Sequence, residues 1–428
     1  MITNESKLNY IKFSFADKLL IFFTVVTPFF LPFSRFLSDL FLCIAVILFI
    51  LISILRSDFK LYFRNYSILF FLWYVYIFFT SLIAEDILLS FESTLFYLRF
   101  YFYSLAIVYC LKNYKKTIIY FSYTLGMSIF ILLIDSYFQL FFGFNIVGYE
   151  YNNAWNRLSS FFKDEYILGS YLSRVLPLLI ALILLSDNKF KFRNLFIISI
   201  IFFSLIIILY SGDRSGLLYF LIFLISSILL LNLSKMYKFS IFVLSCLIFS
   251  LLIFTSNTVY ERMIKYTNYQ IFQDNKINPF SIQHQLIFKT SIKIIKENYL
   301  FGIGPKNFRI VCKNFKSTSN LDSSEDGCST HPHNTYIQLF VETGVLGFFS
   351  IFSGFIVIFF YLLKKIYKTN FLNKHNNSLS IDFLLITLFI SLWPLVPTGS
   401  FFNNWLNIIY YLPVGFLIYY FFEFKDEY

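Results

Sequence analysis

Long apolar stretches separated by short polar breaks run through the whole chain. Twelve of them, near 19–34, 37–55, 67–84, 93–111, 118–142, 166–186, 195–211, 217–232, 240–256, 336–363, 383–399 and 405–422, predict helices that cross a bilayer. About 20 apolar residues span the hydrocarbon core, and an open chain there must satisfy its backbone as helix. One break is long: residues 257–335, between the ninth and tenth spans. Within it, SIQHQLIFKTSIKIIKENYLFGIGPKNF (281–308) predicts a helix and then a Gly-Ile-Gly-Pro turn. Lys289, Lys293 and Lys296 form one basic stripe, while Leu286, Ile292, Ile295 and Tyr299 fall on other faces. Such a helix suits the membrane–water interface or a solvated lid. HPHNTYIQLFVETGVLG (331–347) begins the tenth span, with Pro332 and Asn334 suited to a helix start. A helix beginning near His333 would bring Gly344 to within about 20° of the histidine's face. Gly347 follows on nearly the same face, giving a smooth groove for a neighbouring helix or a lipid chain. No tandem repeat is visible. The expected fold is all-α and polytopic, with about twelve transmembrane helices. It forms a single domain over 1–428, with 257–335 as its one large loop.

Composition agrees: 428 residues, 58% hydrophobic and 23% aromatic. The formal charge of +11 would suggest nucleic acid on a soluble protein. Here the placement of Lys and Arg sets orientation instead. Lys7, Lys12 and Lys18 precede the first span. Arg56, Lys60 and Arg64 follow the second, Lys112, Lys115 and Lys116 the fourth, and Lys189, Lys191 and Arg193 the sixth. Lys235 and Lys238 follow the eighth, and Lys364, Lys365, Lys368 and Lys374 the tenth. All share one side. The short loops opposite hold Arg35, Arg157, Lys163 and Arg214. Both termini are therefore expected in the cytoplasm and 257–335 outside it, without a cleavable signal peptide. Cys43, Cys110 and Cys246 fall in spans. Cys312 and Cys328 fall in the long loop, where they form either a disulfide or two free thiols.

Charges inside spans are costly and point to function. Arg99, Asp135 and Arg174 are each expected roughly 9–12 Å below the outer surface. They either line one polar cavity, or Asp135 neutralises one arginine as a structural pair. An arginine left over calls for an anion such as phosphate. The segment 144–166 adds Arg157, Lys163, Asp164 and Glu165 at the same face, SGDRSG (211–216) projects Arg214 beside Asp213, and His331 and His333 join them. A histidine there either caps a helix or acts as base toward a hydroxyl.

His333-Asn334, nine residues and then Gly344-Val345-Leu346-Gly347 fit the H[NSQ]-x9-Gxx[GTY] signature of the O-antigen ligase/polymerase superfamily, which the chain resembles. His375-Asn376 has no such glycine pair after it. RLSSFFKDEYILGSYLSRVLP (157–177), SGDRSGLL (211–218) and NYLFGIGPKNF (298–308) resemble further elements of that family in order. The resemblance implies a GT-C-type glycosyltransferase of the bacterial inner membrane, with its active site on the periplasmic face. Its donor is a glycan on undecaprenyl pyrophosphate, moved en bloc to an acceptor hydroxyl. In ligases the acceptor is lipid A-core; in polymerases it is another lipid-linked repeat unit. Ligation of O-antigen in lipopolysaccharide biosynthesis is the favoured expectation and polymerisation the alternative.

The resemblance implies Arg157, Arg174 and Arg214 on the pyrophosphate, and His333 as base or acceptor-positioning group. Asp164 or Glu165 would orient an arginine or the acceptor, with Asn334, Gly344 and Gly347 in support. One departure stands out: His284 falls where many members carry an arginine, and it could hold phosphate only when protonated. No metal, nucleotide or other cofactor and no nucleic acid partner is expected, because arginines can stabilise a leaving pyrophosphate. A secondary transporter would instead predict inverted repeats and broken midplane helices.

Overall fold

A computed structural model describes residues 4–151, 157–186, 192–231, 234–272, 278, 280–315, 327–372 and 378–424, with side chains from Phe15 onward. Lys189, Lys191, Lys374, His375 and the side chains of Lys7 and Lys12 lie outside the described residues. The helices are α1 (Asn4–Val26), α2 (Arg35–Arg56), α3 (Asn65–Leu82), α4 (Ile87–Leu95), α5 (Leu98–Asn113), α6 (Thr117–Phe142), α7 (Leu168–Leu185), α8 (Arg193–Tyr210), α9 (Arg214–Leu230) and α10 (Lys235–Thr255). A helical arm over 257–271 follows, then α11 (Ile282–Glu297), α12 (Thr335–Asn370), α13 (Leu379–Ser391) and α14 (Asn404–Ile418). No strand forms among the described residues. Each of the twelve apolar stretches overlaps a helix. By length and apolarity, nine helical segments among the described residues can cross a membrane, and α9 and α13 are shorter apolar helices. The protein is a polytopic membrane protein.

Local sequence explains where the helices begin. Side chains of Ser34, Asp86, Asp213, Ser281, Asn334 and Asn403 each accept a hydrogen bond from the first turn of the helix they precede. The span expected over 93–111 is divided at Phe96–Tyr97 into α4 and α5, and the eleventh helix ends at Ser391, ahead of the expected 399. Pro394 and Pro397 explain the early stop, since neither supplies a backbone N–H to continue a helix.

The core is built on two central helices. α7 is buried without interruption from Leu168 to Leu182, and α5 from Tyr103 to Leu111. Helices buried on every face are mostly apolar, and within α7 the buried Ser173 donates to Gly216 O at 2.7 Å and Arg174 to the Tyr219 hydroxyl at 3.0 Å. In contrast, α10 has no buried residue. The basic loops gather at one end of the bundle, where Arg56 pairs with Asp17 at 2.6 Å and Lys112 and Arg64 share Glu423 at 2.6 and 3.1 Å. The first turns of α7, α9, α12 and α14 lie at the other end. There, α11 and the following turn form a small second core of Ile287, Ile294, Ile303, Phe308, Val311, Cys312 and Val341. The lysine stripe of α11 is exposed, and Ile292 and Tyr299 are exposed with it. Cys312 and Cys328 are disulfide-bonded, with Cα atoms 5.3 Å apart. Closing a loop of about 15 residues is worth about 3 kcal/mol in the chain-entropy model. Thiol labelling at both positions should therefore require prior reduction, and equal labelling without reductant would contradict the bridge.

Two expectations change. Arg99, Asp135 and Arg174 do not share a cavity, and no arginine pairs with Asp135. Arg99 is held by Asp39 at 3.0 Å and lies over the Phe100 ring. Asp135 accepts from Ile146 N at 2.8 Å, Asn145 Nδ2 at 3.3 Å and the Ser160 hydroxyl, fixing the loop after α6. Arg174 lies against Tyr219.

The signature glycines form no groove either. Gly344 has φ 67° and ψ −167°, so α12 breaks there. A β-carbon on Gly344 would sit 2.1 Å from Leu300 O, and one on Gly302 would sit 2.5 Å from Glu342 C. The 299–304 backbone fills that break: Ile303 N donates to Val341 O at 3.0 Å, Gly304 N to Glu342 O at 2.9 Å, and Val345 N to Tyr299 O at 2.9 Å. From α3, the Tyr76 hydroxyl clamps Thr343 O at 2.6 Å. Asn307 fastens the far side of the turn to Asp86, accepting from its N–H at 2.8 Å.

Candidate active site

Asp213 organises the site from beneath. Its carboxylate caps α9 through Gly216 N at 3.0 Å and accepts from Ser170 N, in the first turn of α7, at 2.8 Å. Gly169 and Gly216 let these two helix starts meet backbone to backbone, since a β-carbon on Gly216 would lie 2.4 Å from Gly169 C. The positive ends of two helix dipoles thus point the same way. Asp213 thus serves two helix starts, and its charge also offsets part of that of Arg157 and Arg214.

Three arginines gather there. Arg157 is anchored by donating Nε to Ser211 O at 3.1 Å and Nη2 to Tyr166 O at 3.0 Å, with its guanidinium over the Tyr166 ring. Arg214, the first residue of α9, is exposed, and its Nη1 donates to Thr267 Oγ1 at 3.5 Å. Arg262 comes from the helical arm, and its buried Nε has no hydrogen-bond partner. Gly212, at φ 61°, lets Arg262 and Arg157 approach: a β-carbon there would lie 3.2 Å from Arg262 Nε and 3.4 Å from Arg157 Cγ. Burial lowers Arg157 to about 10, against the pull of Asp213 and with the added repulsion of Arg262 and Arg214. Three guanidiniums outnumber the Asp213 carboxylate, and a net positive cluster of this kind suits a multiply charged anion.

Arg174 is not part of this cluster. It is 4% exposed, donates Nη2 to the Tyr219 hydroxyl at 3.0 Å and leaves its buried Nε without a partner. Glu165 orients an arginine, but that arginine is Arg35 at the start of α2. Asp164 lines the small cavity beside this ion pair.

Three of the four histidines meet. The His333 ring lies 4.1 Å from His331 and 5.4 Å from His284, centroid to centroid. His333 is not the first helical residue. It holds a left-handed φ of 54°, uncommon for a side chain with a β-carbon, and Asn334 supplies the cap. The chain between α13 and α14 braces this turn: Thr398 N donates to His333 O at 2.8 Å, and His331 Nε2 donates to Thr398 O at 3.2 Å. Because a carbonyl only accepts, His331 carries its proton on Nε2. His333 Nε2 faces the Ser329 hydroxyl at 2.9 Å, and His284 Nδ1 faces Ser281 at 2.7 Å. Among the described residues no group of three or more His, Cys, Asp or Glu is placed to share a metal ion.

Burial lowers His331 to about 4, its bond to Thr398 opposing and Arg309 and His284 adding to the shift. Burial, His331 and His284 lower His333 to about 3. Burial and Arg214 lower His284. All three are neutral near pH 7. The unfolded chain takes up these protons at about 6.5, so it binds more protons than the folded one below that value. Their stabilising contribution is complete above pH 6.5 and is lost as pH falls through 4 toward 3. The thermal unfolding midpoint should drop across this window more steeply in the wild type than in a His331→Asn/His333→Asn variant; identical slopes would contradict the buried neutral cluster.

A membrane protein with an arginine cluster beside neutral imidazoles at one end of its bundle has the equipment to grip a polyanionic leaving group and position a hydroxyl. Residues 198–352 match the family model described as O-antigen ligase. Over that segment the chain is similar to the O-antigen ligase family, which supports a glycosyltransferase of the ligase/polymerase kind acting on lipid-linked glycans in a membrane. The matched segment carries Arg214, Arg262, His284, His333 and both signature glycines. No curated protein matches the chain. Arg262 was missed in the sequence because it follows no motif; it is one cation among many in a long loop.

Proposed function

We propose that the protein is an inner-membrane GT-C-type enzyme that moves a preassembled glycan from undecaprenyl pyrophosphate to a sugar hydroxyl, the acceptor being lipid A-core. The carrying observation is the group of Arg157, Arg214 and Arg262 around Gly212, where three guanidiniums outnumber the Asp213 carboxylate. Those guanidiniums neutralise the pyrophosphate as it leaves, doing work that a metal ion does elsewhere. His333 positions the acceptor hydroxyl. Its Nδ1 has no hydrogen-bond partner among the described residues, and a bound diphosphate raises its affinity for the proton that the hydroxyl loses. His284, neutral beside Arg214, accepts a proton and joins the phosphate contacts only when the diphosphate is present. Arg174 supports the cluster from below through Tyr219. Gathering of the basic loops at the far end supports twelve spans within one domain, 1–428. Both termini are then cytoplasmic, and the loop 257–335 and the site are periplasmic.

Deleting the gene and resolving lipopolysaccharide on a gel tests this. Bare core with polymer accumulating on its lipid carrier is expected, and His333→Ala should reproduce it with normal membrane insertion. Core carrying a single repeat unit would assign polymerisation instead. Unchanged lipopolysaccharide would sink both.

A further inference from the structure

A second cationic cavity lies on the other side of the histidines. About 600 Å³ in volume, it opens between the start of α2, the turn after Gly304 and the start of α14. Lys306 and Arg309 enter it from the turn, Arg35 and Asp39 from α2, and Asn404 and Trp405 from α14. Its charges are unevenly matched. Asp39 is paired with Arg99, and Arg35 with Glu165. Lys306 feels Glu92 and Glu342, and Arg309 feels Glu342, but neither cation forms an ion pair among the described residues, and Arg309 Nε is buried without a hydrogen-bond partner there. Lys306 is set by the fold, at φ 61° directly after Pro305. Asn404 is exposed, and Asn403 and Ser400 line the cavity beside it. Cations with amide and hydroxyl groups beside them suit a sugar bearing an anionic group.

Its position relative to the histidines gives the cavity a role. His331 donates to Thr398 O at 3.2 Å, two residues before Ser400 in the cavity wall, and it feels the charge of Arg309 as His284 feels that of Arg214. The three imidazoles therefore bridge two separate cationic groups. Resting on the function proposed above, we propose that the cavity lined by Lys306, Arg309 and Asn404 binds the acceptor glycolipid through a phosphate or carboxylate on its sugars, while Arg157, Arg214 and Arg262 hold the donor diphosphate. Each substrate then approaches His333 from its own side, and like charges on donor and acceptor are kept apart by the imidazoles.

Binding to the full-length protein in detergent, read by tryptophan fluorescence, tests the assignment without requiring transfer. The probes are phosphorylated lipid A-core, the same glycolipid dephosphorylated with hydrofluoric acid, and undecaprenyl diphosphate. Lys306→Gln/Arg309→Gln should weaken lipid A-core at least ten-fold and leave undecaprenyl diphosphate unchanged; Arg214→Gln should do the reverse. Lys306→Gln alone, at the cavity mouth, should show the same selectivity more weakly and guards against misfolding of the double variant. Weakening by dephosphorylation assigns a phosphate. Retention by wild type with loss in the double variant assigns a carboxylate. Equal loss of both lipids in Lys306→Gln, or no loss in either variant, overturns the proposal. If the selective binding is found but no glycan is ever transferred, the proposed activity fails and the cavity assignment stands.

Discussion

Replacing Arg214 by alanine is expected to lower glycan transfer by about 10²–10³-fold, the usual consequence of removing one preorganised charge from a developing oxyanion. The size follows from how little else Arg214 does. It is exposed, and among the described residues its hydrogen bond is to Thr267 Oγ1 at 3.5 Å. Folding should therefore be unaffected, and the unfolding midpoint of Arg214→Ala should stay at the wild-type value. Arg262→Ala should act in the same direction and more weakly. Arg174→Ala should differ in kind, because it removes a buried side chain from beneath Tyr219 and lowers stability as well as rate. Transfer assayed in membrane vesicles with a lipid-linked donor, together with a melting curve for each variant, separates these outcomes. Near-wild-type transfer by Arg214→Ala would remove the arginine cluster from the mechanism.

Gly344→Ala should be nearly as damaging without touching any charged group. The backbone there lies in a region that a β-carbon excludes, at a cost of about 1–3 kcal/mol. That β-carbon would also collide with the Leu300 carbonyl at 2.1 Å. The turn carrying Gly302 and Gly304 would then lose its seat, and with it the hydrogen bonds from Ile303, Gly304 and Val345. Trypsin should cut faster after Lys306 and Arg309, and transfer should fall in parallel. Gly354→Ala is the control, since a β-carbon there meets nothing within 4 Å. Slow cleavage and full activity in Gly344→Ala would show that the seat is dispensable.

Most helix positions were legible in the sequence because they rest on local properties: apolar length and a capping side chain at the start. Asn334 illustrates this, since its place before an apolar run predicted a cap and it accepts from Tyr336 and Ile337 N–H groups. The glycine groove was misread for a corresponding reason. Counting 100° per residue assumes an unbroken helix, and the break at Gly344 exists only because a segment forty residues upstream docks into it. The same limit applies to charges. Depth along a span placed Arg99, Asp135 and Arg174 together, but partners are set by rotation about each helix axis and by neighbours remote in sequence. Asp39 and Ser160 could not be assigned from spacing. The convergence of Arg157, Arg214 and the histidines at one end was visible because a pattern of alternating spans puts them there. Arg262 required the path of the arm itself.

That arm is attached in an unusual way. Helix α10, which leads into it, has no buried residue, whereas Val259 and Met263 on the arm are buried in the main core. Lys238, near the other end of α10, is tied to Asn370 at 2.6 Å. The helix is therefore pinned at both ends, and between them it packs only shallowly, through Ile248, Phe249, Leu252 and Ile253 on one side. A change in bilayer thickness is taken up by tilt where packing resists least, and in this protein that place is α10. The resulting torque falls on the turn holding Val259 and Met263. Arg262 sits on that same turn, so transfer by this protein is expected to vary with lipid chain length, and equal rates in thin and thick bilayers would contradict that coupling.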